Sequence, residues 1–351
     1  MRALLGSFRS WWATPIAGIC GALIAEYAHW PLPWIIGSML AIIIVRCSGL
    51  LVGEIPNGRI TGQLVIATSI GLHFTQAVVT EIGGNFALMM AASCFTLIIA
   101  LLGIAVMKRQ GMDLTTAYFA FMPANFTEMI QLGIQHKANV SRVAAAHSVR
   151  LVLIVLCVPP ALFFTSHISP EAIHIRPPAD WYWLTPLLAG GAIVALIWKR
   201  LRWPNPWMFG PMSLCAVFTA TYDLHIALPA ELNHYGQLMI GCALGGFFNR
   251  DFFRKAPAYL VKVAIFTIVM ATLTFLAAIL ISHLFNFPTL TMTLGMMPGS
   301  STEMYLTAEA LNLGVGFVTA MQIMRLVIVM SCAEPIYKVW YKRTQINSTD
   351  D

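Results

Sequence analysis

Long apolar runs with very few charged residues recur along this 351-residue chain and restrict what it can fold into. Residues 97–107, 151–164 and 260–281 are almost free of charge. Only 10% of the sequence is charged and 58% is hydrophobic, whereas soluble domains average about 25% charged residues. Apolar segments of this kind cross bilayers as helices, because a helix satisfies its own backbone hydrogen bonds. The sequence therefore predicts an all-α integral membrane protein.

The net charge of +6 is concentrated in short basic clusters between the apolar runs, at 108–109, 199–202, 250–255 and 338–343. This distribution is typical of cytoplasmic loops, so we expect a lipid bilayer and no nucleic acid among the partners. The seven cysteines and nine histidines show no metal-ligand spacing and no cofactor fingerprint is present. We therefore predict no metal, no cofactor and no enzymatic activity.

The two halves of the chain repeat one another. Four motifs recur in the same order, and the second copies follow the first by 173, 174, 175 and 175 residues. A nearly constant offset predicts an internal duplication, with an N-terminal membrane repeat at 11–165 and a C-terminal one at 183–341. We expect an extracytoplasmic linker at 166–182 and a cytoplasmic tail at 342–351. The matched motifs are Trp-Pro-x-Pro-Trp (30–34 and 203–207), Gly-Gln-Leu (62–64 and 236–238), Met-Pro-x-x-x-Thr-Glu-Met (122–129 and 297–304) and Arg-Leu-Val (150–152 and 325–327).

Each repeat contains five apolar runs long enough to span a membrane and one run that is broken by Pro, Gly, Asn, Ser or Thr and carries a Glu. The broken runs lie at 113–136 and 289–311. The predicted spans are 11–29, 33–51, 61–80, 86–107 and 138–165 in the first repeat, and 183–199, 205–222, 235–249, 258–285 and 314–340 in the second.

The basic clusters orient these segments. If both broken runs are re-entrant hairpins and both termini are cytoplasmic, most basic residues fall on the cytoplasmic side, as the positive-inside rule requires. If the broken runs cross fully, Lys137 and Arg142 move outside and the fit worsens. We therefore predict ten transmembrane helices plus two hairpins. Five crossings per repeat invert the second repeat, an arrangement common among secondary transporters.

The broken runs are the candidate solute site. In the second, Pro298 and Gly299 interrupt a helix, and Ser300 followed by Glu303 has the spacing of a capping box. A half-helix starting there directs free N–H groups and a positive dipole end at an anionic group. The alternative, that each Glu only caps its own helix, stays open. The expected substrate-binding residues are Asn125, Thr127, Gly299, Ser300, Ser301 and Thr302, and the expected ion-coupling residues are Glu128 and Glu303.

Arg150 and Arg325 are equivalent residues near the middle of the spans that follow the hairpins. Because neither reaches the membrane surface easily, each needs a partner inside the protein. We predict a role in substrate binding, since guanidinium holds a carboxylate in a bidentate fork. A structural ion pair with the hairpin glutamates is an equally good interpretation. His147, three residues before Arg150, is a candidate proton relay.

The two motifs ending in Thr-Glu-Met, together with the repeat, resemble those of the AbrB-type bacterial membrane protein family, over nearly the whole chain. The copy at 297–304 is the more family-like, whereas the first copy has Ala124-Asn125 where Gly-Ser is expected. That family is unrelated to the soluble DNA-binding regulator of the same name. The resemblance implies a bacterial inner-membrane location and a transport role, but it supplies no substrate.

Our expectation for function is a secondary active transporter of a small solute, which an anionic group would suit, coupled to H⁺ or Na⁺ and working by alternating access of the elevator or rocking type. The alternative is a membrane-bound sensor or regulator of gene expression that binds a solute without moving it. A homodimer is left open as a further partner.

Overall fold

The computed structural model describes residues 11–50, 52–165, 177–248 and 250–347. Sixteen helices and no β-strand occur among these residues, which confirms the all-α prediction for the part described. Most of the predicted linker, residues 166–176, and the last residues of the predicted tail, 348–351, lie outside the described residues.

The helices fall into two series of eight that follow the predicted repeats. Each series ends with a broken pair of short helices and then a long one. The first series is α1 (Ala13–Tyr27), α2 (Pro33–Cys47), α3 (Gly58–Gly71), α4 (Gln76–Gly84), α5 (Phe86–Arg109), α6 (Leu114–Phe121), α7 (Phe126–Gln135) and α8 (Val140–Thr165). The second is α9 (Trp181–Arg200), α10 (Pro206–Tyr222), α11 (Ala230–Gly245), α12 (Arg250–Lys255), α13 (Pro257–Phe285), α14 (Thr289–Met296), α15 (Ser301–Ala310) and α16 (Val315–Asn347).

Five of the described helices are long and apolar enough to cross a membrane by length and composition: α5, α8, α9, α13 and α16 up to Tyr341. The bent pair α3 and α4 raises the number to six if it is one span, and α1 and α2 are shorter apolar helices. The chain is therefore compatible with a multi-pass membrane protein. The count of ten spans stays a prediction.

The predicted continuous span at 61–80 is divided in the structure. α3 ends at Gly71, α4 begins at Gln76, and their axes differ by 80°. Two local signals explain the break. The backbone N–H groups of His73 and Phe74 bond three residues back, which tightens the last turn of α3, and the Thr75 hydroxyl accepts a bond from Val78 N–H at 3.5 Å to start the next helix.

The chain forms two compact units, and each draws on both predicted repeats. Unit 1 comprises the described residues within 1–83, 156–256 and 305–316. In it α1 packs on α2 and α9 on α10, while α11 contacts α2 and α3, and α3 contacts α10. Helices α3 and α11 cross at glycines: a Cβ on Gly62 would lie 3.0 Å from the Gly236 carbonyl oxygen, and a Cβ on Gly236 would lie 2.8 Å from the Ile66 side chain. Only glycine permits this approach.

Unit 2 comprises the described residues within 84–155, 257–304 and 317–351. It contains the first broken segment and, of the second, α14, the break and the start of α15 up to Met304. Helix α6 packs on α5 and α14 packs on α13, while α5 also contacts α13 and α14. The short helices have 8 or 10 residues, so each is about 12–15 Å long and none alone spans the roughly 30 Å hydrocarbon core. Whether the broken segments are re-entrant stays a prediction, as do the boundaries of the two repeats.

Unusual backbone conformations recur at the spacing of the sequence repeat. Eleven described residues have positive φ, nine of them not glycine, and such residues are uncommon. Ten of the eleven form five pairs separated by 173 to 175 residues. Agreement at so many rare positions indicates that the two halves use the same turns. The pairs are His29 with Arg202, Leu32 with Asn205, Gly49 with Asp223, Gly111 with Asn286 and Lys137 with Asn312; Asn57 is the remaining residue.

Candidate functional site

In each pair of short helices, the second helix is capped by the residue that the sequence pattern predicts. Asn125 precedes α7, and its side chain accepts a hydrogen bond from Thr127 N–H at 3.3 Å. Ser300 precedes α15, and its hydroxyl accepts from Thr302 N–H, also at 3.3 Å. Both residues therefore act as N-caps, as predicted. A half-helix starts immediately after each break, with its positive dipole end at the break.

Arg150 and Arg325 reach back from the following long helices to the same two breaks. The Nη1 atom of Arg150 donates to the Met122 carbonyl at 3.1 Å. Arg325 donates from Nη1 to the Met297 carbonyl and from Nη2 to the Gly299 carbonyl at 2.9 Å. Met122 and Met297 follow the last residues of α6 and α14, where carbonyl groups are left without helical partners. Each buried guanidinium thus meets the negative end of a half-helix.

A second polar residue, one turn before each arginine, binds the same half-helix. His147 Nε2 bonds the Phe119 carbonyl at 2.9 Å, and Gln322 Nε2 donates to the Leu294 carbonyl at 2.6 Å. All of these pairs, including those of the arginines to Met122 and Met297, join residues 28 apart in the chain. The two breaks are therefore fastened by the same two-residue clamp, in which His147 and Gln322 are equivalent.

The hydrogen bonds of His147 fix its tautomer. Its Nδ1 lies 2.8 Å from Nη2 of Arg150, which can only donate, so Nδ1 accepts and Nε2 carries the proton that goes to the Phe119 carbonyl. Both ring nitrogens are thereby used in a neutral ring. Protonation at Nδ1 would break this bond and set a cation against Arg150, which argues for a structural role rather than the predicted proton relay.

The carboxylates of the two segments differ in environment. Glu303 is buried, with 3% of its surface exposed, whereas Glu128 is half-buried. The neighbouring threonines differ in the same way, since Thr302 is buried and Thr127 is exposed. Arg150 and Arg325 donate hydrogen bonds to carbonyl groups and to His147, partners that the sequence analysis did not consider. The predicted pairing of the arginines with Glu128, Glu303 or a substrate carboxylate stays a prediction.

The predicted glycine and serine positions lie at the second break. The Gly299 carbonyl accepts from Arg325, and a Cβ at Gly299 would lie 3.0 Å from Ile154 and 3.1 Å from Met304. Ser301 is the first residue of α15 and is half-buried. The structure thus brings Gly299, Ser300, Ser301 and Arg325 together at one break.

A small cavity in unit 2 touches both breaks. Its lining includes Arg150, the two tip prolines Pro123 and Pro298, and the hydroxyl-bearing residues Thr96 and Thr267. Its volume of about 10 Å³ is room for roughly one water molecule, so a larger solute requires the surrounding helices to move apart.

Several buried donors near the breaks have no hydrogen-bond partner within the described part of the chain. They are the Nε atoms of Arg150 and Arg325 and the hydroxyl of Thr267. A buried cation with an unused donor is costly unless an anion approaches it. Among the described residues no group of three or more His, Cys, Asp or Glu is placed to hold a metal ion.

Sequence reasoning missed Gln322, Thr267 and the carbonyl acceptors of the clamp. Gln322 could have been found, because it lies at the position equivalent to His147 and three residues before Arg325 in an apolar span. The carbonyl acceptors could not, because every residue has one.

Comparison with known proteins agrees with the resemblance in the motifs. The chain is 22% identical over 347 residues to "Uncharacterized protein YhjN" of Bacillus subtilis (strain 168), covering 91% of this chain and 90% of that protein. It is 21% identical over 303 residues to "Putative regulator AbrB" of Escherichia coli (strain K12), covering 85% and 87%. The profile of the family described as "Transition state regulatory protein AbrB" matches residues 34–341. The chain belongs to the AbrB family of membrane proteins.

Proposed function

We propose that this protein is a secondary active transporter of a small anionic solute, coupled to H⁺ or Na⁺, that works by alternating access. The observation that carries the proposal is the pair of helix breaks in unit 2, each fastened by a buried arginine. Broken helices are costly in a membrane unless the freed backbone groups are satisfied, and they mark binding sites in many transporters.

The hydrogen bonding at the breaks favours an anion over a cation. A cation would need carbonyl oxygens, but those of Met122, Met297 and Gly299 already accept bonds from guanidinium groups. Two buried donors near the breaks, the Nε atoms of Arg150 and Arg325, have no hydrogen-bond partner within the described part of the chain, although the acceptor Gln322 Oε1 has none there either. The positive dipole end of each half-helix also favours an anion. A small carboxylate matches this set, because its two oxygens accept paired donors.

We assign the coupling to H⁺ or Na⁺ to the carboxylates of the two segments. Glu303 is buried within the first turn of α15, and Glu128 has the equivalent place in α7. A carboxylate in an apolar span is stable when it is protonated or ion-paired, so protonation linked to solute binding fits its position. The side-chain hydroxyl groups of Thr302 and Ser301 offer further oxygen ligands for Na⁺.

The architecture that we propose is two inverted repeats of five transmembrane helices and one hairpin each, in a bacterial inner membrane, with both termini in the cytoplasm. It is supported by the equal order of helices in the two series, the paired positive-φ residues and the identical clamps. A homodimer is consistent with this class of transporter but follows only from analogy.

The test is to measure binding and flux on the same purified protein. Small carboxylates, amino acids and amines are screened by thermal stability in detergent, with and without Na⁺ and at several pH values. A ligand that binds only the folded state adds about 2.7 kcal/mol at a hundredfold excess over its dissociation constant. Hits are then tested as radiolabelled solutes for uptake into proteoliposomes. We expect a carboxylate to stabilise the protein and to be taken up, with the uptake driven by an ion gradient lost in Glu303→Gln.

The competing candidate is a membrane sensor, and the name of the Escherichia coli relative, "Putative regulator AbrB", favours it. A sensor would show stabilisation by solute without any uptake driven by an ion gradient. That result, obtained with intact and correctly reconstituted protein, would replace the transporter proposal. Stabilisation by amines and not by carboxylates would refute the anionic solute.

A further inference from the structure

A second and larger cavity lies entirely within unit 1. It has a volume of about 100 Å³, ten times that of the cavity in unit 2, and lies where the end of α2, the segment 52–55, the start of α3 and the end of α11 meet. Its polar lining includes Arg46, Glu54 and Arg59, and its walls include Met239 and Phe247. None of these residues belongs to the helix breaks of unit 2.

The charges around this cavity favour an anion. Arg46 lies in the last turn of α2, and Arg59 is the second residue of α3, where its guanidinium carbon lies 5.9 Å from the centre of the Phe247 ring. Among the described residues, the lining contains two guanidinium groups and one carboxylate, that of Glu54, and the side chains of Arg59 and Glu54 are both exposed. The N-cap residue of α3, Asn57, makes no side-chain cap bond, so the positive end of α3 adds to the same potential.

The repeat supplies an independent indication of what binds here. The positions equivalent to Arg59, Arg46 and Phe247 are Asn233, Thr219 and His73, each 173 or 174 residues away. These residues also belong to unit 1, and there Asn233 Nδ2 donates to the Glu309 carboxylate at 3.2 Å. At the position equivalent to Arg59, the chain's own Glu309 therefore supplies an anionic oxygen to Asn233.

The residue differences between the two sets of equivalent positions place more positive charge at the cavity that Arg46 and Arg59 line. Arg59 stands where the other repeat has Asn233, and Arg46 stands where it has Thr219. Two neutral residues are thus replaced by two guanidinium groups, which form strong charge-assisted bonds to oxyanions. A group with several negatively charged oxygens suits two arginines that line one cavity better than a single carboxylate does.

We propose that the unit 1 cavity binds a phosphate group through Arg46 and Arg59. The predicted topology puts this end of α2 on the cytoplasmic side, so the phosphate comes either from an anionic phospholipid of the inner leaflet or from a free phosphate in the cytoplasm. The chemistry is the same for both sources. This site does not depend on the transporter proposal, because it lies in the other unit and requires no movement of solute.

The experiment measures binding of two probes to delipidated protein in detergent. Inorganic phosphate is titrated against chloride at equal ionic strength. Phosphatidylglycerol, which carries a net negative headgroup, is compared with phosphatidylcholine by native mass spectrometry. The variants are the double change Arg46→Gln with Arg59→Gln, the single change Glu54→Gln, and Arg109→Gln as a control that removes one exposed arginine from the end of α5.

We expect the double variant to bind the productive probe roughly 10- to 100-fold more weakly, because two charge-assisted bonds are lost. Glu54→Gln is expected to tighten binding by roughly three- to fivefold, because it removes the one opposing charge. This opposite effect cannot come from loss of folding. Binding of phosphatidylglycerol alone identifies a lipid site, and binding of phosphate alone identifies a solute site. Failure of both probes to bind the wild type, or equal binding by the double variant, overturns the proposal.

Discussion

Replacing Arg325 with methionine tests whether the arginine clamp stabilises the break between α14 and α15. The guanidinium makes two bonds, to the carbonyl groups of Met297 and Gly299. Methionine has a similar length but no donor, so the Gly299 carbonyl loses its guanidinium partner, whereas the Met297 carbonyl keeps its bonds from Gln322 and from the Gly299 N–H, and the buried charge disappears. Removing only one side of a hydrogen bond costs about 1–3 kcal/mol for each orphaned group. Part of this cost is offset, because the variant no longer buries a desolvated cation.

One orphaned carbonyl predicts a net loss of about 1–3 kcal/mol in the free energy of unfolding for Arg325→Met. Arg325→Lys should lose about half as much, because an ammonium reaches one carbonyl and cannot form the fork. The matched control, Arg109→Met at the exposed end of α5, should change stability by less than about 0.5 kcal/mol.

The assay is equilibrium unfolding in mixed micelles with increasing sodium dodecyl sulfate, followed by circular dichroism, with reversibility checked by dilution. If Arg325→Met is as stable as the wild type, the bonds to the two carbonyl groups do not stabilise the break and the clamp has no energetic role. If Arg325→Lys loses as much as Arg325→Met, the reasoning about the fork is wrong.

Three further substitutions test other parts of the structure by the same unfolding assay. Gly62→Ala should cost about 1–3 kcal/mol by forcing apart the crossing with α11, whereas Gly83→Ala, with no atom near its Cβ, should change little; equal costs would contradict the close approach. Tyr305→Phe should cost about 1 kcal/mol by losing the 2.7 Å bond from its hydroxyl to a serine hydroxyl of α3, and Tyr182→Phe at an exposed site should cost nothing measurable. His147→Gln should cost less than His147→Leu, because glutamine makes the equivalent bond in the second repeat; the reverse order would show that the two clamps are not interchangeable.

The local features of the fold could be predicted because their causes are local. Helix breaks at Pro298 and Gly299, and caps at Asn125 and Ser300, follow from backbone sterics and from side chains that reach two residues along the chain. The repeat was visible because it fixes whole motifs. The bend between α3 and α4 was missed, because an apolar run with scattered polar residues such as Thr75 resembles a continuous span until its hydrogen bonds are known.

The candidate site was only partly predictable for a different reason. The need of Arg150 and Arg325 for partners follows from their positions, but the choice between carboxylates and carbonyl groups depends on where the chain brings its backbone. Backbone oxygens carry no sequence signature. The same holds for the cavity with Arg46 and Arg59, which come from two helices and are too far apart in the chain to form a motif.

The glycine crossing of α3 and α11 has a consequence for how the two halves of the chain can change over time. Duplicated halves ordinarily drift apart, since a loss in one is covered by the other. Here Gly62 faces Gly236, so each glycine is part of the surface on which the opposite helix rests. A larger residue at either glycine would disturb the packing of both helices. At this crossing a substitution in one half is therefore constrained by the other half, and the freedom that duplication normally gives is confined to positions away from it.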